Sequence, residues 1–250
     1  MKKLLIISVG LIFILLLSSR IEYANDPNTI RVPQDYLTIQ AAVTAASPGD
    51  TIVVSAGIYN EVVNVNIPLT LRGEDGAIVK PDDSTALLDQ GVRRVAIYIT
   101  ADDVTVEGFE IDGTGGHVHY GIYGFNTNDV EVRHNVVHDI VNEIGSPVWD
   151  VAGVGILFFG WGQGIDGVTV GRNTVYNTGR MAIFVGGMED ESPYGWLPSE
   201  NNTIDSNVVH DAWIGPTNDG GGAIQINGAF NCTIVMGKGK GAKDGNDGSQ

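Results

Sequence analysis

A short strand-like segment recurs along the chain, and this repeat limits the possible folds more than any other feature. Copies begin at residues 103, 129, 167 and 201, and a fifth begins at residue 231 and breaks off. The copy at residues 129–139 reads DVEVRHNVVHD. A small residue and an apolar run precede each copy, and these runs begin at residues 96, 121, 155, 182 and 223. The shortest interval between runs is 25 residues, so the repeat predicts a β-solenoid with insertions at its corners.

Each repeat contains three short strands, which predicts an all-β fold of three parallel sheets wound into a prism. Parallel crossover connections are nearly always right-handed, so we expect a right-handed, single-stranded parallel β-helix. Side chains alternate between the two faces of a strand, and the positions predicted to face inward are mostly apolar. These positions are Val104, Val106, Val130, Val132, Val168 and Val170 in the first sheet, Ile111, Val137, Val175 and Val209 in the second, and Ile97, Ile99, Ile122, Ile156, Phe158, Ile183, Val185, Ile224 and Ile226 in the third.

An asparagine stands between the first and second strands of three copies, at Asn135, Asn173 and Asn207. Asparagine tolerates the left-handed backbone conformation better than most residues. Stacked amide side chains also bond to their copies above and below. We therefore expect these residues to turn a sharp corner and to form an amide ladder.

The segment at residues 35–50 differs from the rest because its apolar residues follow a helical period. Ile39, Ala42, Val43 and Ala46 fall on one face of a short helix, and Pro48 and Gly49 end it. A single amphipathic helix ahead of a strand-rich chain can cover the open end of a solenoid. We predict that it caps the N-terminal end.

The two ends of the chain predict segments outside the solenoid. Lys2 and Lys3 precede an apolar run at residues 4–17, which is short for a bilayer span. Residues 1–24 therefore read as a secretory signal with a weak cleavage site. The protein is then secreted, periplasmic or on the cell surface, and it contacts a membrane only if this segment stays uncleaved.

Residues 25–236 form the predicted β-helix domain, and residues 237–250, with almost no apolar content, read as a disordered tail. The fifth repeat is unfinished, so we expect either a truncated product or a second subunit over that end. The oligomeric state stays open.

The charge balance excludes some partners. The chain has 30 acidic and 14 basic residues, for a net charge of −16. Such a protein is a poor candidate for binding nucleic acid, and it repels a polyanionic sugar unless a cation such as Ca²⁺ mediates the contact. Cys232 stands where most copies have valine and reads as a small buried hydrophobe.

The stretch IRVPQDYLTIQAAVTAASPGDTIVVSAGIYNEVVNVNIPLTLRGEDG at residues 30–76 and the NVVHD copies resemble the pectin-lyase-like right-handed parallel β-helix superfamily. The resemblance covers roughly residues 29–234. It implies the fold strongly and the function weakly, because the superfamily holds lyases, esterases, hydrolases, epimerases and non-catalytic proteins. The catalytic motifs of alginate epimerases, pectin methylesterases and polygalacturonases have no counterpart here, so no catalytic residue carries over.

The closing residues of the second strand offer a candidate metal site. Asp112, Asp139 and Asp211 occupy equivalent places in three copies, and stacked carboxylates can recruit a hard cation such as Ca²⁺. The alternative is that these residues only close the strand with hydrogen-bonded turns. No other cofactor is predicted.

Insertions at the corner between the second and third strands supply candidate catalytic residues. His117 and His119 are candidate bases, Arg180 is a candidate charge stabiliser, and Asp139 lies beside them. Such groups can abstract a proton next to a uronate carboxylate. The alternative is a set of solvated loops without special chemistry.

Aromatic residues predict how a sugar would be held. An outward stripe in the third sheet includes Tyr123, and Trp149 and Trp213 lie in the insertions. Rings of this kind can stack on sugars, although an exposed apolar stripe is more commonly covered by packing.

Together these features favour an exported protein that binds or processes polysaccharide, with lyase- or epimerase-type chemistry if it is an enzyme. The alternative is a non-catalytic accessory or structural module at the cell surface or in the periplasm.

Overall fold

The computed structural model describes residues 28–82, 94–115, 118–140, 153–188, 196–212 and 223–235. The predicted signal segment and the predicted tail lie outside these ranges. No helix within the described ranges is long and apolar enough to cross a membrane.

One helix and 23 strands make up the described chain. In chain order they are β1 (Thr29–Val32), α1 (Ile39–Ala45), β2 (Thr51–Val54), β3 (Gly57–Tyr59), β4 (Val63–Val65), β5 (Thr70–Gly73), β6 (Ala77–Val79), β7 (Val95–Ile99), β8 (Thr105–Glu107), β9 (Glu110–Asp112), β10 (Tyr120–Phe125), β11 (Glu131–Arg133), β12 (Val136–Ile140), β13 (Val154–Trp161), β14 (Thr169–Gly171), β15 (Thr174–Thr178), β16 (Ile183–Met188), β17 (Trp196–Leu197), β18 (Ser199–Glu200), β19 (Thr203–Asp205), β20 (Val208–Ala212), β21 (Ile224–Ile226), β22 (Ala229–Phe230) and β23 (Thr233–Val235).

These strands form three large parallel sheets, with one strand from each coil in each sheet. Sheet 1 has the order β1-β2-β5-β8-β11-β14-β19-β23, and sheet 2 has the order β20-β15-β12-β9-β6-β3. Sheet 3 has the order β17-β16-β13-β10-β7-β4, with β21 also paired to β16. Only β17 in sheet 3 runs antiparallel, and β18 and β22 form a small parallel pair. The fold is the predicted right-handed parallel β-helix.

The core fills the space between the three sheets, as the alternation predicts. Val106, Val132 and Val170 stack from coil to coil in sheet 1 and are buried. Ile111 and Val137 do the same in sheet 2. The inward residues of the last described coil are less covered, since Ile224 and Ile226 are partly buried and Ile234 is exposed.

Helix α1 covers the N-terminal end of the stack, which confirms the predicted cap. Its buried residues are Ile39, Ala42 and Val43, which belong to the same core cluster as the strands. The Thr38 side chain caps the first turn. The Glu61 carboxylate accepts the backbone N–H groups of Ile39 and Gln40, both at 2.9 Å. A residue from the next coil therefore fixes the helix start.

The corner between sheets 1 and 2 contains the predicted amide ladder, but the asparagines do not turn the chain. The left-handed residues are those just before them, His134, Arg172 and Ser206, with φ of 55°, 56° and 55°. The expectation that Asn135 and its copies adopt this conformation is therefore wrong. Their side chains face inward to bond the neighbouring coils, and the preceding residue makes the turn.

Candidate functional site

The outer face of sheet 2 gathers polar rings and carboxylates in rows, and we call it the ladder face. Its central row runs through Asp112, His138, Tyr176 and His210, which are partners on successive strands. A second row follows these strand positions with Asp139, Asn177 and Asp211. All three of these residues have positive φ, of 58°, 51° and 51°. This conformation is one that Asn and Asp adopt more readily than most residues.

The three rings of the central row stack on one another. His138 and Tyr176 have centroids 4.9 Å apart with planes 5° from parallel, and Tyr176 and His210 have centroids 4.9 Å apart with planes 7° from parallel. The ring faces are therefore occupied by neighbouring rings in the middle of the row. The ring edges that the row turns outward are those of Tyr176 and His210, because His138 is buried, and such edges suit hydrogen bonding rather than stacking.

Each histidine of the row is paired with the carboxylate that follows it. His138 Nδ1 lies 2.6 Å from Asp139 Oδ2, and His210 Nδ1 lies 2.9 Å from Asp211 Oδ2. His138 is only 7 % exposed, whereas the His210 side chain is 51 % exposed. The Asn177 amide donates to Asp139 Oδ1 at 3.2 Å, so the second row is also joined across coils.

A lysine ends the central row on its N-terminal side. Lys80 Nζ lies 2.7 Å from Asp112 Oδ2 and 2.6 Å from Thr114 Oγ1. Burial acts to raise the pKa of the Asp112 carboxyl, but hydrogen bonds from Lys80 and Thr114 outweigh it and leave that pKa below its ordinary value. Asp112 is therefore held in its charged form.

Burial and nearby carboxylates act together on Tyr176. Burial raises the pKa of its hydroxyl, and the negative charges of Asp139, Glu110 and Asp112 raise it further. The Tyr176 hydroxyl thus stays protonated and able to donate a hydrogen bond throughout the physiological pH range.

The structure divides the predicted calcium ligands. The expectation that Asp112, Asp139 and Asp211 occupy equivalent places is wrong for Asp112, which pairs in register with His138. Asp112 and Asp139 come together with His138, and ligand atoms of the three lie within 4.8 Å of one another. Asp211 lies two coils beyond Asp139, about 10 Å away at the usual spacing of strands. Asp211 therefore cannot share one ion with the other two, and a histidine that was not among the predicted ligands takes its place.

The corner between sheets 2 and 3 aligns two of the predicted catalytic residues. The Gly153 N–H donates to the His119 carbonyl at 2.8 Å, and the Arg180 N–H donates to the Gly153 carbonyl at 2.9 Å. His119 and Arg180 are thus two coils apart on one edge. His119 Nδ1 accepts the backbone N–H of Arg94 at 3.1 Å in a buried position. This nitrogen serves the fold, which argues against His119 as the base. His117 lies outside the described residues.

The aromatic stripe on sheet 3 is packed rather than open. Tyr123 is 4 % exposed and contacts the rings of Tyr98, Tyr120 and Phe125. It belongs to a second apolar cluster with Leu157 and others on the outer side of the sheet. The prediction that Tyr123 stacks on a sugar is therefore wrong in this structure. Trp149 and Trp213 lie outside the described residues.

The repeat carries a sequence signal for the ladder face. His138, Tyr176 and His210 occupy one position in three copies, which places them in one outward row. The prediction treated this row only as strand residues before a turn. Aromatic character repeated at an outward position of one sheet is what distinguishes it.

The geometry and the sheet topology define a class, the right-handed parallel β-helix. No family model matches the sequence, and no curated protein matches it either. Among solved structures, the chain is similar to the alginate lyase from Paenibacillus sp. str. FPU-7. The sequence identity is 17 %, the TM-score is 0.58, and the match covers 83 % of this chain and 64 % of that enzyme.

The chain therefore spans less than two thirds of the length of that alginate lyase. A pectin methylesterase from Aspergillus niger matches at 14 % identity with a TM-score of 0.40, over 86 % of this chain and 68 % of the enzyme. Likeness at such low identity is a likeness of fold. The likeness to the alginate lyase thus agrees with the right-handed parallel β-helix that the repeats predict.

Proposed function

We propose that the protein binds polysaccharide along the ladder face. The observation that carries this proposal is the row of His138, Tyr176 and His210, with ring centroids 4.9 Å apart. Tyr176 and His210 offer hydrogen-bonding edges on two successive coils, beside the second row of Asp139, Asn177 and Asp211. A periodic line of donors and acceptors on a rigid scaffold suits a periodic ligand such as a glycan chain.

The fold supports polysaccharide as the ligand class. The structure with a TM-score of 0.58 is an alginate lyase, and the parallel β-helix offers the long straight surface that a polymer needs. The surface is also accessible at its C-terminal end, where the side chains of His210 and Asp211 are both exposed. A glycan lying along the helix axis would cross successive coils of sheet 2.

The charge of the protein limits the classes of glycan that it is expected to bind. A net charge of −16 and the carboxylates of the ladder face oppose a polyuronate at low salt. We therefore propose either an uncharged glycan or a uronate chain whose contacts are bridged by a cation. Export from the cell, which the first residues predict, would bring the protein to such a glycan.

The finer proposal is lyase- or epimerase-type turnover at the corner between sheets 2 and 3. Both reactions remove a proton next to a uronate carboxylate, and a nearby cation stabilises the charge that develops. Arg180 at this corner is proposed to supply that cation. His117 remains the predicted base, because the Nδ1 atom of His119 is used by the Arg94 backbone.

Glycan binding is tested by isothermal titration calorimetry with alginate, pectate, a glycosaminoglycan and a neutral glucan, with and without Ca²⁺. Tyr176→Ala removes the ring between the two histidines, and we expect it to weaken binding about tenfold or more because stacked ring edges are lost. Tyr176→Phe keeps the ring stack, so any change in its affinity measures the contribution of the hydroxyl alone. Thr169→Ala, on the outer face of sheet 1, is the matched control, and its affinity should equal that of the wild type.

Unchanged affinity of Tyr176→Ala for every glycan that the wild type binds would show that the ladder face is not the binding surface. Turnover is measured separately by the ultraviolet absorbance of unsaturated products and by epimer analysis. Activity that persists after joint replacement of His117, His119 and Arg180 contradicts the assigned corner.

A specific observation favours a non-catalytic accessory module as the second candidate. Two of the histidines near the candidate surfaces, His119 and His138, are buried; the Arg94 backbone N–H occupies Nδ1 of His119, and the Asp139 carboxylate occupies Nδ1 of His138. A protein of this kind would bind glycan without product formation. Binding that depends on Tyr176, with no turnover on any glycan, would establish this second function.

A further inference from the structure

Three side chains of the ladder face converge on one point. Asp112, His138 and Asp139 each direct a ligand atom to within 4.8 Å of the other two. Asp112 and His138 are register partners on β9 and β12, and Asp139 follows His138 with φ of 58°. The convergence depends on parallel pairing between coils and on the left-handed turn of Asp139.

We propose that these three side chains bind a divalent transition-metal ion of the Zn²⁺ class. Zinc accepts imidazole nitrogen together with carboxylate oxygen, whereas Ca²⁺ takes oxygen ligands only. Tetrahedral zinc with bonds of about 2.1 Å places its ligand atoms about 3.4 Å apart. Atoms that already lie within 4.8 Å reach this separation by rotation of the two aspartate side chains.

The surroundings of His138 give an independent reason to expect a cation. Its Nδ1 lies 2.6 Å from Asp139 Oδ2, and its Nε2 lies 3.3 Å from Glu110 Oε1. A neutral imidazole carries one N–H group, so one ring nitrogen must direct a lone pair at a carboxylate. A metal ion on that nitrogen removes the mismatch.

Lys80 competes with the metal for Asp112. Its ammonium lies 2.7 Å from Asp112 Oδ2, so it neutralises the carboxylate that a metal would use. The Lys80 side chain is 34 % exposed, and its flexible stem allows the ammonium to move into solvent. Metal binding is thus expected to displace Lys80, and removal of its charge is expected to strengthen metal binding.

The chain contains a matched control for this site. His210 and Asp211 repeat the same dipeptide, with Nδ1 2.9 Å from Oδ2. Their neighbours on the preceding coil are Tyr176 and Asn177, which supply no second carboxylate. The pair at His210 is therefore expected to bind no zinc of its own.

The test is isothermal titration calorimetry of the full chain with Zn²⁺ alone, at neutral pH, with Ca²⁺ as the comparison titrant. The wild type should bind one Zn²⁺ per chain and should bind Ca²⁺ much more weakly. His138→Phe keeps the ring stack, and Asp139→Asn suits the left-handed backbone. Each should weaken Zn²⁺ binding about tenfold or more because one of three ligands is lost.

Lys80→Met should tighten Zn²⁺ binding about fivefold, since one partly buried ion pair no longer competes. His210→Phe should bind as the wild type does. Circular dichroism of each variant establishes that the fold is retained.

Zinc affinity that is unchanged in both His138→Phe and Asp139→Asn overturns the proposal. So does an absence of zinc binding by both the wild type and Lys80→Met. Calcium binding as tight as zinc binding would mean an oxygen-only site and would also overturn it. No sugar is present in these titrations, so their failure is distinguishable from failure of the polysaccharide proposal.

Discussion

Tyr59 illustrates how the solenoid sets the chemistry of a single side chain. It ends strand β3, and its hydroxyl donates to the Ser55 carbonyl at 2.9 Å. Burial raises the pKa of this hydroxyl, and the negative charges of Glu61 and Glu74 raise it further. The protonated tyrosine is therefore favoured in the folded protein over the unfolded chain.

This difference predicts a loss of stability at alkaline pH. An unfolded tyrosine ionises near its ordinary pKa of about 10, whereas folded Tyr59 keeps its proton to a higher pH. The folded state thus binds more protons in that window, and its stability is full below pH about 10 and falls as pH rises through the raised pKa. Urea unfolding from pH 8 upwards should show this fall, and Tyr59→Phe should show less of it.

The comparison of the wild type with Tyr59→Phe isolates the contribution of Tyr59 to this pH dependence, because both proteins contain all the other tyrosines. At neutral pH the variant should be less stable by about 1 kcal/mol through loss of the bond to Ser55. A fall in stability that is equally steep in wild type and variant would contradict the role given to Tyr59.

At the scale of structural elements, the amide ladder shows how one side chain can join neighbouring coils. Asn173 is 1 % exposed, and its Oδ1 accepts from the backbone and the side chain of Asn135 at 2.9 and 3.1 Å. Its Nδ2 donates to the Val132 carbonyl and to Asn207 Oδ1 at 2.9 and 3.0 Å. One side chain thus joins three coils at the corner between sheets 1 and 2.

Replacement of Asn173 by alanine should lower the free energy of unfolding by about 3 kcal/mol, because buried groups on both neighbouring coils lose their partners. Urea denaturation measures this change. Asn177→Ala is the matched control in the same coil, since Asn177 makes a single half-buried contact to Asp139, and it should cost less than about 1 kcal/mol. Equal losses in the two variants would remove the special role of the ladder.

The outer faces of sheets 2 and 3 differ in how much of their side chains is exposed. Sheet 3 buries Tyr123 and Leu157 in a second apolar cluster, whereas sheet 2 leaves Val136, Val208 and the side chain of His210 exposed. The repeat predicts an outward row of rings on sheet 2 and another on sheet 3. Only the packing over each row shows that the row on sheet 3 is covered, whereas the row on sheet 2 is partly exposed.

At the scale of the whole molecule, we expect the negative charge to govern the approach of the proposed glycan. The net charge of −16 acts on a polyuronate before any contact forms, and added salt screens such repulsion. A rigid, straight scaffold then presents the ladder face as a single surface.

We therefore expect that affinity for alginate or pectate rises as NaCl is increased from low to physiological concentration. Affinity for an uncharged glucan should change little over the same range. Titration calorimetry at several salt concentrations makes the measurement, with Ca²⁺ absent so that bridging does not contribute. Polyuronate affinity that falls steadily with salt would mean that local positive charge, and not the net charge, controls binding.

The sequence by itself determined the coil architecture. The period of two along each strand fixes which side chains face inward, so Val106, Val132 and Val170 form a buried stack. The helical period of residues 39–46 fixes the cap. Asn135, Asn173 and Asn207 occupy the same position within their copies, and this fixes the ladder. The left-handed turn, however, belongs to the residue before each asparagine.

Only the tertiary structure decided which outward residues form a site. Periodicity separates the inside from the outside of a strand, but it carries no information on what packs over the outside, and this is why Tyr123 is buried. The meeting of Lys80 and Asp112, 32 residues apart, and that of Asp112 with His138 depend on the exact pairing of coils. Insertions of different length hide this pairing in the sequence, and the register of the sheets reveals it.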